Sequence, residues 1–342
     1  MADGAREGNR DARQCRPTTE RLSVVSFFAG CGGLDLGFLG GFTFLGKQFA
    51  RTCFDVVGAY DADHDAVEAY RINIGSHAHI ADLSTCDMAT LPAADILLGG
   101  FPCQEFSQCG PRRGLESERG RLYLAMVDYA ITHRPSIIVG ENVAGLMYRD
   151  SGRALKTICA DFAGIGYMPH IWEFHAEEHG VPQARHRIFL IFVRADLDCT
   201  NLRMPAPFET RITARMALQD LLRSDMRKTP NQDQFFRAKK AGRGHGQGDE
   251  RTPADGPGYT VRANAKSRVQ FHYSRPRRLT VRESARLQSF PDTFRFPFAA
   301  TANMRLVGNA VPPALAHRVA EALQHFLLSQ SLLKEEVISD GA

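Results

Sequence analysis

The segment Leu22–Phe28 (LSVVSFF) is a short apolar, β-branched run that stops at Ala-Gly-Cys-Gly-Gly and gives way to residues with helical spacing, Leu34–Phe49. A strand that turns into a helix through clustered glycines has few homes, and the pattern then repeats. Phe54–Tyr60 (FDVVGAY), Ala94–Gly99 (ADILLG) and Ser136–Gly140 (SIIVG) read as strands, with helices at His64–Asn73 and Leu122–His133. A helix at 153–164 and strands Tyr167–Phe174 and Arg187–Arg194 complete the series. Strands alternating with helices predict an α/β fold with a doubly wound, mixed but mostly parallel sheet.

The 342 residues, 44% hydrophobic and 23% charged, suffice for one large core and a smaller module. No run approaches the ~18 apolar residues of a membrane span, and the first 20 residues lack the apolar core of a signal peptide, so a cytoplasmic location is expected. The eight cysteines (15, 31, 53, 86, 103, 109, 159, 199) form no C-x-x-C pair. Neither a disulfide framework nor a metal site is expected from them.

Charge is unevenly spread. Residues 203–282 hold 18 Lys and Arg against seven Asp and Glu, a net of +11, leaving −7 for the rest of a chain whose total is +4. Such a basic segment suits a polyanion, whose condensed counterions are released on contact, or is a solvated basic loop. The Pro- and Gly-rich texture after Arg194 marks a second module. The expected division is a flexible tail (1–20), a first unit (21–194), the module (195–277), a return to the first unit (278–330) and a tail (331–342). The return carries helices at Thr280–Gln288 and Pro312–Leu328.

Several places carry chemistry. The loop Phe28-Ala29-Gly30-Cys31-Gly32-Gly33 lies where backbone can approach a ligand, and Asp61 closes the next strand, where a carboxylate can bind ribose hydroxyls. Together they point to a nucleoside ligand; separately they are a tight turn and a surface acid. Asp82, after the short element HIADLS, suits an exocyclic amine or a helix cap. Cys103 follows a buried strand, with Pro102 fixing the backbone before it and polar flanks favouring a partly exposed thiolate. A thiol of ordinary pKa about 8.5 needs positive charge or hydrogen bonds to ionise near neutrality.

Glu141, in Glu-Asn-Val, ends the next strand, where an acid can serve a ring nitrogen or merely be solvated. In Gln183-Ala-Arg185-His-Arg187, residues 185 and 187 share a face, and an arginine there can hold a carbonyl oxygen, a phosphate or a salt bridge. Arg305–Pro312, containing Gly308-Asn309-Ala310-Val311, reads as a tight turn into the last helix.

FAGCGGLDLGF, GGFPCQEFS, ENV, QARHR and GNAV, in this order and with RPRRLTVRESARLQSFPDTFRF before the last, resemble the successive blocks of the DNA (cytosine-5) methyltransferases over about residues 22–328. The resemblance implies the S-adenosylmethionine-dependent methyltransferase fold, with a smaller target-recognition domain where the basic module lies. It implies S-adenosyl-L-methionine as methyl donor, S-adenosyl-L-homocysteine as product, and double-stranded DNA as partner, its target cytosine flipped out of the helix. A restriction-modification role, no obligatory protein partner and a monomer are expected with it.

The same resemblance implies that Phe28 stacks on the cofactor adenine while Ala29, Gly30, Gly32 and Gly33 bend around its methionine part. Asp61 and Ala62 would border the ribose and adenine, Asp82 and Leu83 the adenine, and Asn309 and Ala310 the C-terminal side. Cys103 is implied as nucleophile, Glu141 as partner of the ring nitrogen and amino group, and Arg187, with Arg185, as holder of the base carbonyl. Gln104, Ser107, Cys109, Arg243 and Arg262 are implied DNA contacts, Arg262 at a guanine edge; Lys239 and Lys240 would meet phosphates.

Three positions depart from the family pattern: Glu105 where a small residue or proline is usual, Ala62 where a bulkier residue often meets adenine, and Cys109 where a small polar residue is common. An RNA cytosine methyltransferase, a non-catalytic DNA-binding protein and a dehydrogenase are the rival readings. The basic module argues against the first, intact Cys103, Glu141 and Arg187 against the second, and the Pro-Cys-Gln and Glu-Asn-Val blocks against the third.

Overall fold

The computed structural model describes residues 21–102, 122–223, 228–237, 250–263 and 269–339. Its strands are β1 (Leu22–Phe27), the hairpin pair β2 (Phe42–Phe44) and β3 (Lys47–Phe49), β4 (Phe54–Asp61), β5 (Ala78–Ile80), β6 (Ile96–Gly99), β7 (Ile137–Val143), β8 (Tyr167–His175) and β9 (His186–Arg194). Among the described residues, seven of them form one sheet in the order β5-β4-β1-β6-β7-β9-β8. The strands from β5 to β7 are parallel; β9 runs antiparallel to β7, and β8 to β9. The mixed, mostly parallel α/β expectation therefore holds.

Helices α1 (Gly33–Leu39), α2 (His64–Asn73), α3 (Leu124–His133), α4 (Gly145–Tyr148) and α5 (Arg153–Gly164) connect the strands. β6 is buried at all its residues, as a parallel strand covered on both faces must be. One apolar cluster joins one face of the sheet to α1 and the C-terminal helix through Phe38, Val24, Leu315 and Val319. A second joins the other face to α3 and α5 through Leu97, Met126, Ile158 and Phe192.

Several element boundaries differ from the sequence reading. The expected helix Leu34–Phe49 ends at Leu39, because Gly40 (φ 62°) and Gly41 (φ 76°) take left-handed backbone and lead into the β2–β3 hairpin, where Phe42 stacks on Phe49. β7 continues three residues past Gly140, so Glu141 stands within a strand. The segment read as a tight turn before Pro312 is the end of a helix, α8 (Ala300–Asn309). The last helix, α9, runs Pro313–Ser339, past Leu328, because no Gly or Pro interrupts the helix-forming residues until Gly341.

The chain between β9 and α8 contributes α6 (Ala214–Leu218) and α7 (Val281–Leu287). Leu218, Val261 and Val269 share one apolar cluster with Leu287, Phe290 and Val307, so the described part of the basic module packs directly on the returning segment. The start of α7 is fixed by a capping box between Thr280 and Glu283. Glu283 is fully buried, yet Arg277 meets both its oxygens at 2.7 Å and Thr280 N–H donates at 2.9 Å. Burial pushes its carboxyl up, and Arg277 more than offsets this, leaving it below the usual range. No described helix is long and apolar enough to cross a membrane. Glu283→Ala would strip Arg277 of its counter-charge and is expected to cost about 3–5 kcal/mol, read as a lower urea midpoint at unchanged m-value.

Candidate active site

The parallel strands end on one line. Tyr60 pairs with Phe27, Phe27 with Gly99, and Gly99 with Gly140. The next residues along, Asp61, Phe28, Gly100 and Glu141, all border a cavity of about 350 Å³ beyond the carboxyl ends of the strands. β1 is the strand at which the connections part toward β4 on one side and β6 on the other, the place where open α/β sheets bind ligands.

Phe28 has left-handed backbone (φ 54°), an unfavourable state for an aromatic residue that turns the chain off the end of β1. Ala29 N–H is tied back to the Tyr60 carbonyl at 3.1 Å. Gly30 (φ 57°) donates its N–H to Asp61 Oδ2 at 2.8 Å, and a Cβ placed on it would meet nothing within 4 Å, so the space above it is open. Gly32 (φ 90°) starts α1, and a Cβ on Gly33 would overlap the Val311 carbonyl. Asp61 Oδ1 accepts from Asp63 N–H at 2.8 Å, which leaves lone pairs on both oxygens for ligand hydroxyls. Burial raises the Asp61 carboxyl above its usual range, against the Gly30 and Ala62 amides and the Arg305 charge.

Ala62, Asp82 and Leu83 also line the cavity. Asp82 caps no helix; it accepts from Ser84 N–H at 3.0 Å and Ser84 Oγ at 2.6 Å, and these bonds hold its pKa low. The aromatic ring, the carboxyls and the unfilled volume over Gly30 suit an adenosyl cofactor, and a cavity of this size lies within the range of small-ligand sites.

Glu141 and Arg187 face each other across the β7–β9 pair, with Arg187 Nε 2.9 Å from Glu141 Oε1. Their side chains keep only 11% and 14% of their exposure. The contact lies off the N–H direction, so Oε1 has no aligned hydrogen bond and stays available to a better-placed donor. The neighbouring Asn142 donates to the Phe101 carbonyl at 3.2 Å, fastening the chain that leaves β6 to the strand that carries Glu141. Pro102, the next residue, lines the cavity. Cys103, Gln104, Glu105, Ser107, Cys109, Lys239, Lys240 and Arg243 lie outside the described residues.

Arg185 borders the cavity but is 3% exposed, and its guanidinium donates to the Val261, Gly308 and Ala310 carbonyls at 3.2, 3.4 and 3.1 Å. The structure thus separates the two arginines read together from sequence: Arg187 meets a carboxylate in the cavity, Arg185 gathers backbone around it. Gln183 works with Arg185, donating to Gln288 Oε1 at 2.8 Å and accepting from Val261 N–H at 2.7 Å. Gln288 in turn donates to the Val307 and Ala310 carbonyls at 2.7 and 3.0 Å. Asn309 and Ala310 reach the cavity on this scaffold, and Arg262 has its backbone against Gly308.

Sequence reasoning did not single out Asn142 or Arg305. Arg305 pairs with Asp63 and with Asp65 (2.8 Å), drawing α8 onto the start of α2 beside Asp61. Their signal was only that Asn142 belongs to the Glu-Asn-Val block and that Arg305 stands three residues before Gly-Asn-Ala-Val. A larger cleft of about 940 Å³ opens between the β2–β3 hairpin, α6 and residues 291–295. Arg286 at its wall is already committed to Asp220 and Asp292, and nothing there matches the convergence of groups at the strand ends.

A doubly wound sheet with a cavity of small-ligand size at its switch point and a carboxylate–guanidinium pair inside is the arrangement of an α/β enzyme. Comparison with known proteins makes the class specific. The C-5 cytosine-specific DNA methylase family model matches residues 22–248 and 231–325, and the chain belongs to that family. It is accordingly a DNA (cytosine-5-)-methyltransferase. It is similar to the Type II methyltransferase M.NgoFVII of Neisseria gonorrhoeae, 31% identical over 90% of this chain and 87% of the relative. The Type II methyltransferase M.BsuRI of Bacillus subtilis is likewise 31% identical, over 91% of this chain and 81% of its own. Among solved structures, a putative DNA modification methyltransferase encoded within a prophage (E. coli) superposes with TM-score 0.69 at 23% identity, covering 90% of this chain and 99% of that one. The Entamoeba histolytica methyltransferase EhMeth gives 0.70 at 15% identity, covering 90% and 99%.

Gly308 leaves no room for a side chain, since a Cβ there would overlap the backbone of Arg262 and Ala263. Gly308→Ala is expected to destabilise the protein by about 1–3 kcal/mol, read as a lower Tm, and to weaken ligand binding in the cavity by parting Asn309 from its scaffold.

Proposed function

We propose that the enzyme methylates carbon 5 of a cytosine flipped from duplex DNA, through a covalent bond between Cys103 and carbon 6. The observation that carries this reading is the Glu141–Arg187 pair, misaligned with itself and facing a cavity whose wall runs to Pro102. Cys103 follows Pro102 directly in the chain.

S-Adenosyl-L-methionine, when bound, supplies an electrophilic methyl group on a sulfonium. Asp61, with Phe28 and the Gly30 backbone, would hold its nucleoside part, with Asp82, Leu83, Ala62 and Asn309 around it. The base needs activation, because carbon 5 of cytosine is a poor nucleophile. Cys103 thiolate adds its electron pair to carbon 6, and the ring becomes an enamine. Glu141 holds the proton at the ring nitrogen and accepts from the amino group, while Arg187 donates to the carbonyl oxygen where negative charge grows. After methylation, loss of the carbon 5 proton expels the cysteine and restores the aromatic ring. Flipping costs a few kcal/mol of stacking and pairing, which contacts from the basic module would offset. The Type II names of the relatives favour a specific target sequence and a restriction-modification role.

Cys103→Ser is expected to abolish tritium transfer from labelled S-adenosyl-L-methionine to duplex DNA while leaving DNA binding intact; undiminished transfer would defeat the assignment. DNA carrying 5-fluorocytosine should remain attached to the wild-type protein on a denaturing gel, since fluorine cannot leave as a proton does. Glu141→Gln should lower kcat by about 10²–10⁴-fold with little change in cofactor affinity.

A further inference from the structure

Of the glycines at the strand ends, Gly100 is the one whose identity the fold does not require. Gly99 and Gly140 are fixed by packing, since a Cβ would lie 2.5 Å from Met126 sulfur at the first and 3.2 Å from the Phe101 ring at the second. Gly30 and Gly32 have left-handed backbone. Neither reason holds at Gly100 among the described residues. Its φ lies outside the left-handed region, and a Cβ would meet Glu141 Oε2 and the Phe28 carbonyl oxygen, each at 3.9 Å, an ordinary van der Waals contact. Glycine loses more chain entropy on folding than alanine, and is kept without such a reason where backbone must come close to a ligand. Gly100 borders the cavity.

Sheet order identifies the ligand group. β6 lies between β1 and β7, with Phe27, Gly99 and Gly140 side by side. Neighbouring strands are about 4.8 Å apart, so Phe28 and Glu141 leave the sheet about 10 Å from each other with Gly100 between them. Phe28 and Asp61, which suit the adenosyl part of a cofactor, stand on one side of Gly100, and the Glu141–Arg187 pair stands on the other. A group handed from one side to the other crosses Gly100.

We propose that the bare backbone of Gly100 is the floor over which the methyl group crosses, and that its missing side chain is what admits a sulfonium methyl there. This inference rests on the cavity being the S-adenosyl-L-methionine site and on Glu141 and Arg187 holding the base. In the transfer, the electron pair at carbon 5 of the Cys103 adduct forms the new carbon–carbon bond. The sulfur–carbon bond breaks, and its pair stays on sulfur as an uncharged thioether. The product therefore lacks the one carbon that lay on the floor. The oxygens flanking Gly100 suit that carbon while it is bound to sulfur, because hydrogens made positive by an adjacent sulfonium are drawn to carbonyl and carboxylate oxygen.

Gly100→Ala raises the floor by one carbon–carbon bond, about 1.5 Å. The variant should fold with a Tm near that of the wild type, because the new Cβ makes ordinary contacts and the backbone accepts it. A methyl group lifted by that much is misplaced for transfer, and kcat should fall by about 10²-fold. Equilibrium binding gives the readout specific to the floor. In calorimetric titration of the full chain, S-adenosyl-L-methionine should weaken by about 10–200-fold relative to S-adenosyl-L-homocysteine, whose complex leaves a methyl-sized space for the Cβ. A folded variant with the wild-type donor-to-product affinity ratio would overturn the inference alone, whether both ligands bind as before or both weaken alike. Should the variant not fold, the wild type decides with S-adenosyl-L-ethionine, one carbon longer at the sulfonium. Binding about tenfold or more weaker than that of S-adenosyl-L-methionine supports a floor one carbon deep, and equal binding overturns it. A wild-type protein that binds neither S-adenosyl-L-methionine nor S-adenosyl-L-homocysteine would overturn the cofactor reading and this inference with it.

Discussion

Four parallel strands stop at one level because Tyr60, Phe27, Gly99 and Gly140 are held side by side by consecutive strand pairings. The site depends on that alignment. A one-residue slip in any pairing would turn a cavity residue toward the core, since successive side chains alternate faces. Glycine at the last two positions of the line serves packing. A Cβ on Gly99 would sit 2.5 Å from Met126 sulfur, and one on Gly140 3.2 Å from the Phe101 ring. The absent methyl groups let α3 close under the strand ends and let Phe101 fold back, which delivers Pro102 to the cavity wall.

Buried arginines assemble the rest. Arg185 ties β9 to two backbone segments far along the chain, and Arg282, fully buried, bonds the Pro230, Pro291 and Phe294 carbonyls. Burial lowers the Arg282 guanidinium to about 10, still above neutrality, so it remains a cation held by carbonyl dipoles. This changes the meaning of the +11 segment. Arg277 is paired with the buried Glu283, and Arg278 is buried against the Val269 carbonyl. Part of the positive charge that suggested a polyanion partner is internal scaffolding, and the part left for phosphates is smaller than a count implies.

Much of the architecture was legible because it is written in local pattern. β-branched runs ending in Gly or acid marked β1, β4, β6 and β7, and Thr280–Gln288 read as a helix. The failures share a cause. Leu34–Phe49 keeps helical periodicity across Gly40 and Gly41, and only the left-handed backbone at those glycines reveals the hairpin. Ala300–Asn309 was missed because its short apolar stripe faces a cluster built from distant segments, which no local window contains. At the site, residue types named Asp61, Glu141 and Arg187, whereas the different fate of Arg185 follows from carbonyls at Val261, Gly308 and Ala310 that sequence proximity could not supply.

The acid near the end of β7 is electrostatically matched before a ligand arrives. Glu141 already has its cation, since Arg187 lies 2.9 Å away, and the pair as a whole is close to neutral. A neutral pyrimidine can enter such a pair by taking one donor and one acceptor from it without leaving either charge bare, and the poor alignment of the contact lowers the cost of parting them.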